Sequence, residues 1–139
     1  MTRVFLSVVV ALGVCLVQTN GARAVAADDK PTVNEMKQIG LAYHNHFDAN
    51  RKGPAKAEDL APYFDKTNRD KMVGFLKSGQ VVFIFNVGLL DMTDGTSNTV
   101  IAYVKEAPKE GGFVLYGDGS VKTLKADEFK KAILAKPKK

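Results

Sequence analysis

The sequence predicts an α+β domain, and two changes of pattern carry that reading. An amphipathic stretch with helical period fills residues 33–50, near the start of the region that can fold. From residue 81 onward the period shortens, and β-branched and aromatic runs alternate with clusters of Gly, Asp, Asn and Ser. The connections between those runs are too short for crossover helices. The expected architecture is therefore one N-terminal helix packed on a roughly four-stranded antiparallel meander, with short helices in the middle and at the C-terminus.

The first 27 residues read as a signal peptide rather than as part of the domain. Met1-Thr2-Arg3 supplies a positive start, and residues 4–17 form an apolar run too short to span a bilayer comfortably. Small or tolerated residues precede a cut after Ala26 or Ala27. The expectation is a secreted or periplasmic protein with no transmembrane segment after cleavage. Its domain would cover 28–134, with a basic disordered tail at 135–139. The one cysteine, Cys15, lies in the apolar run, so no disulfide is expected to support the fold.

Each element has a local reason. Thr32 and Glu35 have the spacing of a capping box for the first helix. Met36, Ile39, Gly40, Tyr43 and Phe47 share one stripe at 100° per residue, and Gly53-Pro54 stops the run. Residues 57–64 suggest a turn or two of helix interrupted at Pro62. Thr67 and Asp70 suggest a weaker capping pair for a second helix, which runs through Met72, Phe75 and Leu76 to a left-handed Gly79. The apolar run 81–87 reads as a central strand. Residues 99–105, 112–116 and 120–124 read as three more strands. The second and third are joined by a loose turn over 106–111, the third and fourth by Gly117-Asp118-Gly119, where Asp-Gly signals a hairpin because both residues accept positive φ. A last helix is expected over 125–134, with Phe129 and Ile133 facing inward and Lys125 where a capping Ser or Thr is preferred.

Composition and motifs narrow the chemistry. The net charge of +5 misleads, because residues 28–129 hold thirteen basic and fifteen acidic groups while five lysines crowd the end. A nearly neutral body argues against a nucleic-acid groove. No G-x-S-x-G elbow, H-E-x-x-H helix or phosphate loop is present, Ser97 and Ser120 lie in turn motifs, and the only two histidines lie on the first helix. A non-enzymatic chain is expected. His44 and His46 are two apart, so on a helix they project about 160° from each other and do not chelate one ion; they are expected at the edges of the apolar stripe. Asp91, Asp94, Thr96, Ser97 and Asn98 gather oxygen ligands within a few residues, and Asp91, Asp94 and Asn98 are the candidate calcium ligands. The same residues also describe a tight turn bonded to itself. Otherwise no cofactor is expected.

Three stretches resemble a known family. NEMKQIGLAYHNHFD at 34–48 resembles the pattern N-x-L-K-Q-[IL]-G-L-A-x-H-N-[YF]-H of a large bacterial pseudopilin-like family expanded in planctomycetes. MTDGTSNTV at 92–100 and YGDGSV at 116–121 are similar to its two later signatures, the D-G-T-S-N-T loop and the Asp-Gly end of its H-x9-DG motif. The family has no known function and is associated with prepilin-type processing. The resemblance implies a pilin-like fold, a long first helix laid across an antiparallel sheet, and a calcium site in the C-terminal half of its secretion-type relatives. Three departures stand out. A Sec-type signal replaces the prepilin leader and apolar half-helix. Pro108 stands where the family has a His. The aromatic-His order after His44-Asn45 is reversed to His46-Phe47. The function expected on these grounds is binding of a protein or of cell-envelope material. A calcium-stabilised binding module unrelated to pili, or a cryptic hydrolase, is the alternative.

Overall fold

The computed structural model describes residues 29–139; the signal-peptide expectation falls on residues outside this range. Helix α1 (Val33–Asn50) begins with the predicted capping box. The Glu35 N–H donates to Thr32 Oγ1 at 3.3 Å, and the Thr32 N–H donates to a Glu35 carboxylate oxygen at 2.7 Å. The other Glu35 oxygen accepts from Lys71 Nζ at 2.7 Å, which ties α1 to helix α2 (Arg69–Ser78). The helix ends where Arg51 turns left-handed (φ 58°) and returns its N–H to the Phe47 carbonyl. All five residues of the predicted stripe are buried.

The sheet runs β1-β2-β3-β4, built from β1 (Val81–Phe83), β2 (Thr99–Val104), β3 (Gly112–Tyr116) and β4 (Val121–Leu124), each antiparallel to its neighbour. This is the predicted α+β meander. A fifth strand, β5 (Ile133–Leu134), pairs parallel with the start of β2, on the edge β1 does not reach. Strand β2 is buried almost throughout, and a bulge at Ile101 sets two of its residues against one of β3. Helix α1 lies across β3 and β4. The 3₁₀ turn Ala57–Tyr63, which carries Pro62, packs between α1 and α2. Met36, Ile39, Tyr43, Leu60, Met72, Phe75, Ile101 and Leu115 form the centre of the core.

Several expectations are corrected. The 81–87 run is not a central strand. Its paired part stops at Phe83 on the sheet's edge, and Asn86 turns left-handed (φ 61°) and gives its N–H to the Pro54 carbonyl. The run stays apolar because Val87 is buried under α1, so its hydrophobicity reports burial and not pairing. Helix α2 is capped by Asn68 rather than by Thr67, and the Asn68 amide reaches across to Gln38 of α1 instead of closing its own turn. The 106–111 turn holds a one-turn helix, α3 (Ala107–Glu110). In the hairpin only Gly119 has positive φ (87°). The last helix, α4 (Ala126–Lys131), is shorter than expected. The Glu128 carboxylate caps it through the Lys125 N–H, and the chain turns extended at Ala132 so that Ile133 is exposed in β5. The tail is not free either. Ala135 is buried with its N–H on the Val100 carbonyl, the Lys138 N–H bonds the Asn86 carbonyl, and its ammonium lies 3.3 Å from Asp91.

The Glu35 carboxyl sits between opposing influences. Burial pushes its pKa up, while hydrogen bonds from Lys71 and Thr32 and the charge of Lys71 outweigh burial and hold it below the usual 4.5. A carboxyl lowered on folding stabilises above the unfolded pKa and loses that contribution as pH falls through the folded value. We expect Glu35→Gln to cost about 0.5–1.5 kcal/mol at neutral pH. In urea melts at several pH values, the difference from the parent should shrink below about pH 4.5. A difference independent of pH would show that Glu35 contributes only by shape.

Candidate functional site: a junction of helix, loop and hairpin

The three stretches that carry the family resemblance are far apart in sequence and meet in space. The loop before β2 is two consecutive turns. The Gly95 N–H donates to the Met92 carbonyl at 3.0 Å and the Asn98 N–H to the Gly95 carbonyl at 3.2 Å. Gly95 has φ 92°, which explains the glycine. Side chains fasten the same turns: the Asn98 amide donates to the Asp94 carbonyl at 3.0 Å, and the buried Thr99 hydroxyl to the Gly95 carbonyl at 2.9 Å.

The hairpin between β3 and β4 is fastened by one carboxylate. Asp118 Oδ1 accepts both the N–H (2.9 Å) and the hydroxyl (2.6 Å) of Ser120. Burial alone would raise the Asp118 pKa, but the two Ser120 donors hold it below the usual carboxylate value. Tyr116 shifts the other way: burial, then the negative charges of Asp118 and Glu128, push its phenol up, while the Lys122 ammonium lies 4.9 Å from its ring centre.

Loop and hairpin are sewn together by main chain. The Gly117 N–H donates to the Thr99 carbonyl at 2.9 Å and the Asp118 N–H to the Thr96 carbonyl at 3.1 Å. Gly117 lets Met92 pack close: a Cβ there would lie 2.2 Å from the Met92 sulfur and would displace that side chain. Helix α1 closes the third side. A Cβ on Gly40 would lie 3.0 Å from Leu115 Cδ1 and 3.3 Å from Gly119 Cα, and the His44 ring lies over Gly119.

The two histidines point apart as expected, yet they are not both edge residues. His44 is half-buried toward the hairpin, with its Nε2 enclosed and without a hydrogen-bond partner among the described residues. His46 is buried (5% exposed), edge-on to the Tyr63 ring at 5.6 Å, with Nδ1 likewise unpartnered. The 3₁₀ turn covers this second face of α1, so the helix is enclosed by more than the sheet.

The candidate calcium residues divide. Asp94 and Asn98 share one turn, where the Asn98 amide is committed to the main chain. Asp91 faces the other way, accepting from the Gly88 N–H at 2.9 Å and lying against Lys138. Among the described residues, no group of three His, Cys, Asp or Glu is arranged to hold a metal ion. Ser97 is exposed, and the Ser120 hydroxyl is spent on Asp118.

Sequence reasoning passed over a cleft of about 330 Å³ at the C-terminal end of α1, lined by Arg51, Lys52, Asn86, Leu90, Asp91, Lys138 and Lys139 among others. The missing signal was the docking of the tail, for which buried Ala135 is the only local hint. Among the described residues no helix is long and apolar enough to cross a membrane. Comparison of the chain with protein-family models, curated proteins and solved structures found no match.

Overpacking the helix–hairpin contact should be costly. Gly40→Val is expected to lower stability by about 1–3 kcal/mol in urea denaturation despite its better helix propensity, because its neighbours are partly main chain. A neutral or stabilising result would mean that the close approach is not required.

Proposed function

We propose that this chain is a secreted or periplasmic, non-enzymatic domain of the pseudopilin-like kind. It acts by binding another protein or cell-envelope material. The observation that carries the reading is the junction described above. Three separate stretches resemble three signatures of one family, and they form a single contact between α1, the loop before β2 and the β3–β4 hairpin. The α+β architecture, with the first helix laid on an antiparallel meander, supports the same reading.

The signal-like start gives the domain its address on this reading, and α1 serves as its spine. The histidine replaced by Pro108 belongs to α3, so whatever that histidine does in the family is not done by this chain. The self-bonded state of the Asp94–Asn98 turn and of Ser120 fits a scaffold that presents surfaces more than one that turns over substrate.

The test is to fractionate cells, sequence the mature N-terminus, and cross-link the protein in place. A mature chain starting at Ala27 or Asp28, outside the cytoplasm and cross-linked to one partner or to envelope polymer, is the expected result. A form retaining residues 4–17 in the membrane, or a chain without any partner, would overturn the proposal.

A further inference from the structure

We propose that the cleft at the C-terminal end of α1 binds a short acidic segment of a partner protein, one whose carboxylates are flanked by an aliphatic side chain. The inference deepens the binding-module reading and rests on it for the partner's being a protein. The cleft itself is argued from geometry.

The first observation is charge. Arg51, Lys52, Lys138 and Lys139 line the cleft, and Asp91 is the one side-chain carboxylate lining it. Asp91 already has Lys138 at 3.3 Å, and the ion pairs among the described residues leave out Arg51, Lys52 and Lys139. Four cations therefore face one side-chain carboxylate, in a chain whose 28–129 body is close to neutral. Unneutralised cations in a concave site draw anions in and orient them.

The second observation is backbone. Among the described residues, Arg51 (φ 58°) and Asn86 (φ 61°) are the two non-glycine residues with positive φ, and both line this cleft. Glycine is the usual residue where a helix ends left-handed, and a side chain there costs about 1 kcal/mol. Arginine at that position holds a guanidinium at the mouth. Backbone strain of this kind persists where the surroundings over-determine it, and it gathers at ligand sites. The surroundings here are stiff. A Cβ on Gly53 would lie 2.0 Å from the Val87 carbonyl oxygen, and the Asn86 N–H is bonded to Pro54.

The third observation selects a peptide. Leu90 stands 88% exposed on the rim, an apolar contact beside the cations. The one aromatic ring in the lining, Phe47, is buried, so no face is offered for a sugar ring to stack on. A volume of about 330 Å³ is at the small end of ligand clefts, which suits a few side chains of an extended segment.

The experiment uses the purified full chain and a fluorescein-labelled peptide, Leu-Glu-Leu-Asp-Glu-Leu, read by fluorescence anisotropy. The comparison probes are its Gln/Asn counterpart and a polyuronate chain. Arg51→Gly removes the guanidinium and relieves the left-handed backbone, so its Tm should hold or rise while peptide affinity falls tenfold or more. Lys139→Glu, an exposed change, should weaken the peptide by a similar factor, and the neutral peptide should not bind. Absence of acidic-peptide binding, affinity unchanged from the parent in either variant, or tighter binding of polyuronate than of peptide would each overturn the proposal. A cross-linked protein partner in cells combined with no peptide binding would overturn the cleft alone and leave the binding-module reading standing.

Discussion

The close approach of helix α1 to the β3–β4 hairpin is the constraint on which the other contacts depend. Gly40 and Gly119 face each other with so little room that a single added carbon on the helix would crowd both Leu115 and the hairpin main chain. With the helix held there, Met36, Ile39 and Tyr43 reach the inner face of the sheet and are fully buried. The Tyr43 hydroxyl then meets the Val87 carbonyl at 3.0 Å, a buried bond that pins the segment leaving β1. Burial, helped by the charge of Asp91, pushes that phenol's pKa well up, so it remains a neutral donor. Without the glycine pair the helix would ride higher and these later contacts would lengthen together.

The same closeness explains why the loop before β2 is built mostly from its own hydrogen bonds. Gly117 and Asp118 use their N–H groups on the Thr99 and Thr96 carbonyls, and Met92 fills the space over Gly117. A loop committed on that side has to satisfy its remaining groups internally, which Asn98 and Thr99 do. Each buried main-chain polar group left unpaired there would cost about 1–3 kcal/mol.

What the sequence disclosed follows from how local each signal is. Thr32 and Glu35 act across three residues and were legible, as were Gly79 and the helical stripe. Paired stretches 99–104, 112–116 and 121–124 were legible because period and turn residues agree. Asn86 was not, because its conformation is decided by Pro54, a contact thirty-two residues back. His46 was placed at an edge because nothing in its helix announces that Tyr63 will cover it. Of the junction, each motif was legible and their meeting was not, since Gly40, Gly117 and Gly119 look alike as letters and differ in backbone conformation and in what they touch. Around the cleft, Arg51 is a helix end and Lys138 a tail residue until the fold sets them on one rim.

Strand β5 has a bearing on the order in which the molecule is completed. Its partner, the start of β2, is covered by β1 only from Ala102 onward, so Thr99 and Val100 depend on Ile133, Leu134 and the Ala135 N–H for their outer hydrogen bonds. Those residues follow the other four strands in the chain and are synthesised after them. Until they arrive, a short, apolar length of sheet edge is open to any strand nearby, including one from a second copy. Parallel closure of this kind also has to wait for the loop, hairpin and α4 that lie between the two strands.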